Sequence, residues 1–500
     1  MLKEKWSQLK SGTDIRGVAT EGVEGEHVNL TGEACETIVS AFALWLSDKV
    51  GKDCGELTVS VGRDSRISGP YIAEIVTNTL SKYGVKVLNC GLASTPSMFM
   101  TTIDLECDGA VQITASHHPF NRNGLKFFTR EGGLESEDIT ALLTLAQESR
   151  VPEYKTSGKI EDIDYMTDYS ARLRDIIKTE VNAEDYEHPL KGFKIVVDAG
   201  NGAGGFYAEK VLAPLGADTN GSRYLDPDGM FPNHVPNPEN AEAMKSICEA
   251  VLESKADLGV IFDTDVDRGG AVDSSGNEIN RNRLVAVASA IALEGNEGGT
   301  IVTDSITSDG LKEFIEKTLG GKHHRFKRGY KNVINEAIRL NSEGINCPLA
   351  IETSGHAAMR ENYFLDDGAY LCTKIIIKMA KLKQEGKTLE EYVSQLKEAK
   401  EEKDVRYKIT EHDFRTYGES VIEKLNEYAL TQEGWTLADD SREGVRVSLD
   451  KAHGNGWFLL RLSVHDPIMP LNIESNDEGG VAVILEQVNK FISDCGGLKL

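Results

Sequence analysis

The chain has 500 residues, an apolar fraction of 40% and a formal net charge of −25, from 55 basic and 80 acidic side chains. The length implies several domains and the apolar content suffices for several cores. The charge excludes a nucleic-acid surface or an anionic membrane surface as the expected partner, so any site for an anionic substrate has to be locally basic.

In chain order, residues 57–61 are predicted as a strand, 70–83 as a helix, 85–88 as a strand and 109–113 as a buried strand. This alternation points to α/β architecture. Residues 150–191 are polar and helical in pattern, with apolar positions at Tyr165, Met166, Tyr169, Leu173, Ile176 and Ile177. A second α/β unit opens with a strand at 193–197 and continues through a helix near 241–254 to a central strand at 258–262. The longest apolar run, 284–293, is too short to span a bilayer and is predicted as a buried helix. After the glycine-rich break 295–299, a third unit holds strands at 300–303 and 348–352 and ends in a charged helical stretch at 389–403. The last unit, from about residue 404, contains strands at 445–449 and 457–464 and a helix at 481–493. The eight cysteines are scattered, with neither CxxC nor zinc spacing, and are expected to be reduced thiols of a cytoplasmic protein. The charged first ten residues do not read as a signal peptide.

Four segments carry chemistry. The first is Thr114-Ala115-Ser116-His117-His118-Pro119, directly after the buried strand at 109–113. A strand-end serine is often only a turn former. Here His117 and His118 can donate to a phosphate, and Lys126, after the Asn123-Gly124 turn, can reach the same pocket, so Ser116 is a candidate nucleophile. No Gly-x-Ser-x-Gly elbow accompanies it, which argues against a serine hydrolase.

The second is Asp263-Thr264-Asp265-Val266-Asp267-Arg268, after the strand at 258–262. Three carboxylates at alternating positions repel one another unless a cation neutralises them, and oxygen-only ligands suit Mg²⁺. An EF-hand fails, because Arg268 stands where the loop needs Gly and Ser274 where it needs Glu. A dehalogenase-type phosphatase, with Asp263 as nucleophile, and a solvated acidic turn are the competing readings. A hydroxyl and a hard-cation site together suggest metal-assisted phosphoryl transfer through a phosphoserine. By contrast, Gly200-Asn201-Gly202-Ala203-Gly204-Gly205 fits the dinucleotide fingerprint, with Asp226 roughly where a ribose-binding acid belongs. Asp198 would put a negative charge near a pyrophosphate, so a structural turn is expected there.

The third is Glu352-Thr353-Ser354-Gly355-His356, suited to hydrogen bonding vicinal sugar hydroxyls, or equally a helix cap built on Ser354. The fourth is Arg461-Leu462-Ser463-Val464-His465-Asp466-Pro467, whose Arg, Ser and His can ring a phosphate dianion, or form an ordinary strand and turn. Gly329-Tyr330-Lys331 adds a possible phosphate ligand.

In this order, and across nearly the whole chain, these segments resemble the α-D-phosphohexomutases, the phosphoglucomutase and phosphomannomutase family. The family's Thr-Ala-Ser-His-Asn-Pro loop corresponds to 114–119, with His118 in place of Asn; its Asp-x-Asp-x-Asp-Arg loop is intact at 263–268. Its Gly-Glu-x-Ser-Gly-His loop corresponds to 351–356, with Ile351 in place of the first Gly. Asp14-Ile15-Arg16-Gly17 and Gly62-Arg63-Asp64-Ser65-Arg66 look like the family's first domain, and Asp366-Asp367-Gly368 like its phosphoglucomutase/phosphomannomutase branch. The last loop departs: Val464, His465 and Asp466 replace Gly/Asn, Thr and Glu, and Pro470 stands where a later Arg is common. Tyr330 stands where many members have His.

The resemblance implies an α/β, four-domain, heart-shaped molecule: three α/β mixed-sheet domains at 1–155, 156–298 and 299–403, and a C-terminal α+β domain at 404–500, around a central cleft. It implies reversible interconversion of hexose 1- and 6-phosphates through phospho-Ser116 and a 1,6-bisphosphate. Asp263, Asp265, Asp267 and a phosphoserine oxygen on Ser116 would hold Mg²⁺, with Arg268 supporting the loop. Lys126, then His117, are the candidate general acid/base groups, and Arg16 would sit by the reacting oxygens. Glu352, Ser354 and His356 would meet the sugar; Arg461, Ser463, His465 and Lys331 would meet the non-reacting phosphate. A glucose 1,6-bisphosphate-type activator and a cytoplasmic monomer or small homo-oligomer are expected, with no nucleic-acid or membrane partner. The alternatives are a phosphoglucosamine mutase, the dehalogenase-type phosphatase and a non-catalytic relative.

Overall fold

The computed structural model describes residues 2–148, 157–463 and 466–500. The chain divides into two compact units, one of residues 1–280 with 354–392 and one of 281–353 with 393–500. It is a mixed α/β protein built on several sheets, three of them in α/β units, plus a C-terminal sheet with its own helices.

In the first unit, the strands run in the order Lys10–Ser11, Asp14–Val18, Arg122–Thr129, Gly109–Ile113, Thr58–Arg63, Lys86–Leu92 and Ile160–Asp162. Gly109–Ile113 is parallel to Thr58–Arg63 and antiparallel to Arg122–Thr129. All five of its residues are buried, including Gln112, whose side-chain amide donates to the Ala93 carbonyl at 2.9 Å. Helices Gly32–Val50 and Ser136–Glu148 share one core with these strands through Phe42, Leu46, Leu142, Val59, Val111 and Phe127.

The unit's second sheet runs Glu278–Ile279, Gly269–Asp273, Leu258–Phe262, Ile195–Asp198. Leu258–Phe262 pairs antiparallel with Gly269–Asp273, Phe262 facing Gly269, so the acidic segment 263–268 is a hairpin loop. Helix Ala241–Ser254, capped by the Asn240 side chain, lies against this sheet. Helices Tyr165–Val181 and Gly368–Gln384 pack on each other, tied by the Tyr169 hydroxyl donating to Asp367 at 2.7 Å.

In the second unit, Lys322–Arg325, Thr300–Thr303 and Leu349–Ile351 form a parallel set. Helix Arg281–Leu293 is buried throughout 284–293, as its apolar run predicts. The C-terminal sheet runs Trp435–Leu437, Val445–Leu449, Gly456–Leu460, Ile468–Ser475, Glu401–Ile409, Leu498–Lys499, covered by helices Phe414–Ala429 and Gly480–Asp494.

Two expectations fail in part. Of the stretch 150–191, residues 150–156 lie outside the described residues, Ile160–Asp162 is a strand paired with Lys86–Leu92, and only Tyr165–Val181 is helical. The charged stretch 389–403 is helical only at Leu389–Tyr392, and strand Glu401–Ile409 begins inside it. Residues 401–408 pair with Ile468–Ser475, Val405, Tyr407 and Ile409 enter the core, and Glu401 accepts from the Gly479 and Val481 N–H groups at the start of helix Gly480–Asp494. A long-range strand partner overrides the helix propensity of Glu and Lys. The strand expected at 457–464 is Gly456–Leu460; Val464 lies outside the described residues.

Among the described residues no helix is long and apolar enough to cross a membrane. None of the eight cysteines is in a disulfide.

Candidate active site

Strand Gly109–Ile113 ends at the serine loop. Ser116 is 1% exposed and has φ of +51°, a left-handed backbone that costs a non-glycine residue about 1–3 kcal/mol. Its N–H donates to Thr114 Oγ1 at 2.9 Å, and the His118 N–H to the Ala115 carbonyl at 3.1 Å. The Ser116 hydroxyl donates to Asp263 Oδ2 at 3.1 Å and lies 3.3 Å from His117 Nδ1.

The acidic hairpin loop meets it there. Asp263, Asp265 and Asp267 are at most 1% exposed, and one oxygen of each lies within 4.8 Å of the others. Asp265 Oδ1 and Asp267 Oδ1 are buried with no hydrogen-bond partner among the described residues. Burial and the charges of Asp267 and Asp265 push the Asp263 carboxyl well above the usual range. Lys126 and Arg268 offset part of this charge, and the remaining buried, unpartnered carboxylate oxygens are the donor set a hard divalent cation takes. The three aspartates therefore fit a magnesium ion.

Lys126 lies opposite Gln112 across the strand pair, and its ammonium pairs with Asp267 and, at 3.2 Å, with Asp265. Burial resists ionisation of Asp267, but Lys126 and Arg268 hold its carboxyl far below the usual range. His117 is driven down to about 2 by burial and by Arg268, His118 and Arg16, so at neutral pH its ring is uncharged. Arg16 lies opposite Gly124 and pairs with Asp14 at 2.7 Å.

Arg268 closes the loop. Its N–H donates to Asp263 Oδ1 at 3.2 Å, and its Nε donates to His356 Nε2 at 2.8 Å. The His356 proton is then on Nδ1, 2.5 Å from Asp366 Oδ2. His356, expected to meet substrate, has both ring nitrogens engaged inside its own unit. Ser354 caps no helix, because strand Ala357–Met359 follows it.

Glu352 belongs to the second unit, and its Oε1 accepts from the Gly329 N–H at 2.6 Å. Next to it, Thr353 donates through its N–H and hydroxyl to Asp304, at 3.3 and 2.9 Å. Burial and the Glu352 charge raise the Asp304 carboxyl to about 7. Lys331 is the second residue of helix Tyr330–Ser342. Arg461 lies 3.8 Å from Glu443, whose other oxygen accepts from the Ser305 hydroxyl at 2.6 Å and the Arg328 N–H at 3.1 Å. The Ser463 N–H donates to Ile468 and the Arg461 N–H to Pro470, at 3.0 and 3.1 Å, closing the base of the last loop. Pro470 thus serves the loop as an acceptor within strand Ile468–Ser475. His465 lies outside the described residues.

The glycine-rich segment 200–205 is a structural turn. The Ala203 N–H donates to the Thr264 carbonyl at 2.8 Å, and a Cβ on Gly202 would come within 2.7 Å of that oxygen. Its glycines admit the acidic loop rather than a pyrophosphate. Sequence reasoning missed Thr95, whose N–H donates to the Asp265 carbonyl at 2.8 Å and whose hydroxyl donates to Asp265 Oδ2. It also missed Asp304 and Glu443. None carries a local signal, because each acts on a segment remote in sequence.

Three family models match the chain: phosphoglucomutase/phosphomannomutase alpha/beta/alpha domain I over residues 8–150, domain II over 168–276 and domain III over 280–399. The phosphomannomutase/phosphoglucomutase of Pseudomonas aeruginosa PAO1 is 30% identical over 454 residues, covering 90% of this chain and 91% of that protein. The phosphoglucomutase of Neisseria gonorrhoeae is 27% identical over 481 residues, covering 96% and 95%. A crystal structure of a phosphoglucomutase/phosphomannomutase family protein from Burkholderia thailandensis matches with a TM-score of 0.79 at 25% identity, covering 100% of both chains.

Proposed function

The chain belongs to the phosphoglucomutase/phosphomannomutase family and is a phosphohexomutase, and from that premise we propose that it interconverts the 1- and 6-phosphates of glucose and mannose through phospho-Ser116. The observation that carries this reading is the Ser116 hydroxyl, held 3.1 Å from Asp263, the first of three buried carboxylates whose other two pair with the ammonium of Lys126.

The free hydroxyl of the sugar phosphate attacks the phosphorus of phospho-Ser116. A new P–O bond forms, the P–Oγ bond breaks, and its electron pair goes to Oγ. Lys126, ion-paired with Asp265 and Asp267, gives Oγ its proton and regains one from the attacking hydroxyl. His117, uncharged and 3.3 Å from Oγ, is the second candidate for this transfer. Asp263, Asp265 and Asp267, with a phosphoserine oxygen, would hold magnesium, which would supply charge neutralisation for phosphoryl transfer. Arg268 orders the loop that carries these carboxylates, and Arg16 serves the reacting oxygens.

The product of the first transfer is a 1,6-bisphosphate. It turns over within the site and returns its other phosphate to Ser116. Glu352 and Ser354 serve the sugar, while His356 is taken up by Arg268 and Asp366; Arg461, Ser463, Lys331 and His465 hold the phosphate that is not reacting. A glucose 1,6-bisphosphate-type activator would load the unphosphorylated serine. A phosphatase using Asp263 as nucleophile would leave Ser116 idle, so a stable phosphoserine on the purified protein separates the two readings.

Ser116→Ala tests the reading. It should abolish turnover of glucose 1-phosphate while leaving the fold intact, and intact-mass analysis should show a phosphate adduct on the wild type alone. Near-normal turnover by the variant would end the phosphoserine mechanism.

A further inference from the structure

The Gly62-Arg63-Asp64-Ser65-Arg66 segment has no part in the chemistry above, yet it supplies the most deeply buried cation of the first unit. Arg66 is 0% exposed. Its Nη1 donates to the carbonyls of Pro119 and Arg122, at 2.7 and 2.9 Å. Its Nη2 donates to the carbonyls of Ser116 and His118, the latter at 2.6 Å. One guanidinium therefore takes four carbonyls of the loop between strands Gly109–Ile113 and Arg122–Thr129.

The guanidinium is itself fixed. Its Nε lies 3.3 Å from Asp64 Oδ2, its own N–H donates to Asp64 Oδ1 at 2.9 Å, and the Phe231 ring lies 5.3 Å from it. Asp64 is anchored in turn, its N–H donating to the Ile113 carbonyl at 3.1 Å.

We propose that Arg66 is a positioning residue for phosphoryl transfer: its guanidinium gathers the carbonyls of the serine loop and so holds Ser116 in the left-handed backbone that presents its hydroxyl to Asp263. Two consequences follow from the geometry. The strained backbone at Ser116 is sustained by a hydrogen bond to that residue's own carbonyl, not by glycine. In addition, carbonyl oxygens turned toward Arg66 are turned away from an incoming anionic phosphoryl group. Lysine cannot substitute, because an ammonium is a point donor with three protons, whereas the planar fork spreads its donors over both nitrogens and still faces Asp64 with Nε. Arg66 touches no reacting atom, so it acts through Ser116.

The proposal rests on phospho-Ser116 as the phosphate carrier, and its test separates the two ideas. Wild type, Arg66→Lys and Asp64→Asn would each be stripped of phosphate and mixed with glucose 1,6-bisphosphate, and the growth of the phosphorylated mass followed in time. Thermal melts and steady-state kinetics would be measured on the same samples. Arg66→Lys should load, and turn over, about tenfold to a hundredfold more slowly, the cost of a misplaced reacting group, with KM nearly unchanged. Amide exchange should rise in residues 114–124 above that of the flanking strands. Asp64→Asn, which leaves the four carbonyl bonds intact, should load within about threefold of wild type.

A folded Arg66→Lys that loads at the wild-type rate, or that loses only melting temperature, overturns the proposal. So does Asp64→Asn slowed as severely as Arg66→Lys, which would make the ion pair the agent. If Arg66→Lys does not fold, Arg66→Gln, which cannot reach all four carbonyls, is read against the same threshold. Failure of the wild type itself to take phosphate on Ser116 would instead overturn the phosphoserine reading, and this proposal with it.

Discussion

The Ser116 hydroxyl donates to Asp263 Oδ2 at 3.1 Å, joining residues 147 positions apart. The nucleophile candidate thus rests on the first of three buried carboxylates, and Lys126 pairs with the other two. A single buried charge network spans the serine loop, strand Arg122–Thr129 and the acidic hairpin. Changing one member should therefore disturb more than one function.

Asp265→Asn removes a carboxylate from the magnesium set and from Lys126 together. Mutase kcat/KM should fall by at least about a hundredfold, the loss seen when one preorganised electrostatic group is deleted. Chelator should silence the wild type, and added Mg²⁺ should restore it. Full activity of the wild type in excess chelator would refute a metal role for this loop.

Gly202 lies so close to Thr264 that an alanine there must displace the acidic loop's backbone. Overpacking of this kind costs about 1–3 kcal/mol. Gly202→Ala should lower the melting temperature and raise the Mg²⁺ concentration needed for half-maximal activity. A variant with wild-type magnesium dependence would show that the loop yields without changing its carboxylates.

Arg461 tests whether the altered last loop still binds phosphate. A charge-assisted bond to a phosphate is worth about 1.5–3 kcal/mol, so Arg461→Ala should cost about tenfold to a hundredfold in kcat/KM. Unchanged kinetics would mean that Val464, His465 and Pro470 accompany a loop retired from binding, with Arg461 serving only Glu443.

Sugar preference should be broad at C2. No residue identified reads that position, and a site that makes no hydrogen bond to a group rejects changes there by only about 1–3 kcal/mol. Glucose and mannose 1-phosphates should both turn over. Glu352 and Ser354 are proposed to pair with the hydroxyls at C3 and C4, so galactose 1-phosphate, inverted at C4, should be poor because a buried partner is left unpaired. Comparing kcat/KM for the three would test this, and galactose matching glucose would overturn the role given to Glu352 and Ser354.

His234 gives a pH-dependent stability unrelated to catalysis. Its Nδ1 lies 3.0 Å from the Val235 carbonyl and its Nε2 3.0 Å from Asp198, so both nitrogens face acceptors and both need protons. Burial opposes the charge, but Asp198 and the Val235 carbonyl outweigh it and raise the imidazole above its ordinary value. A raised folded-state pKa stabilises fully below the unfolded value and is lost as pH rises through the folded one. The melting-temperature gap between wild type and His234→Gln should be largest in mild acid and shrink above neutrality. A gap that widens with rising pH would contradict the assignment.

Buried strands rich in apolar and β-branched residues were legible from the sequence, and Gly109–Ile113, Leu258–Phe262 and Thr300–Thr303 fall where predicted, because burial on both faces needs no remote partner to leave its mark. Helix Ala241–Ser254 also falls where predicted. The stretch 389–403 was not, because its strand is set by pairing with Ile468–Ser475, and local propensity carries no record of that partner.

The same division holds for the site. Motif residues such as Ser116, Asp263, Asp265, Asp267 and Lys126 announce their chemistry, since hydroxyl, carboxylate and ammonium are properties of the side chain itself. What the tertiary structure alone decided is how those groups bear on one another. The left-handed backbone of Ser116, the four carbonyls on Arg66, Thr95 on Asp265 and Gly202 against Thr264 all join segments distant in the chain. Charge and donor capacity are written residue by residue, but distance and burial exist only once the chain has closed on itself.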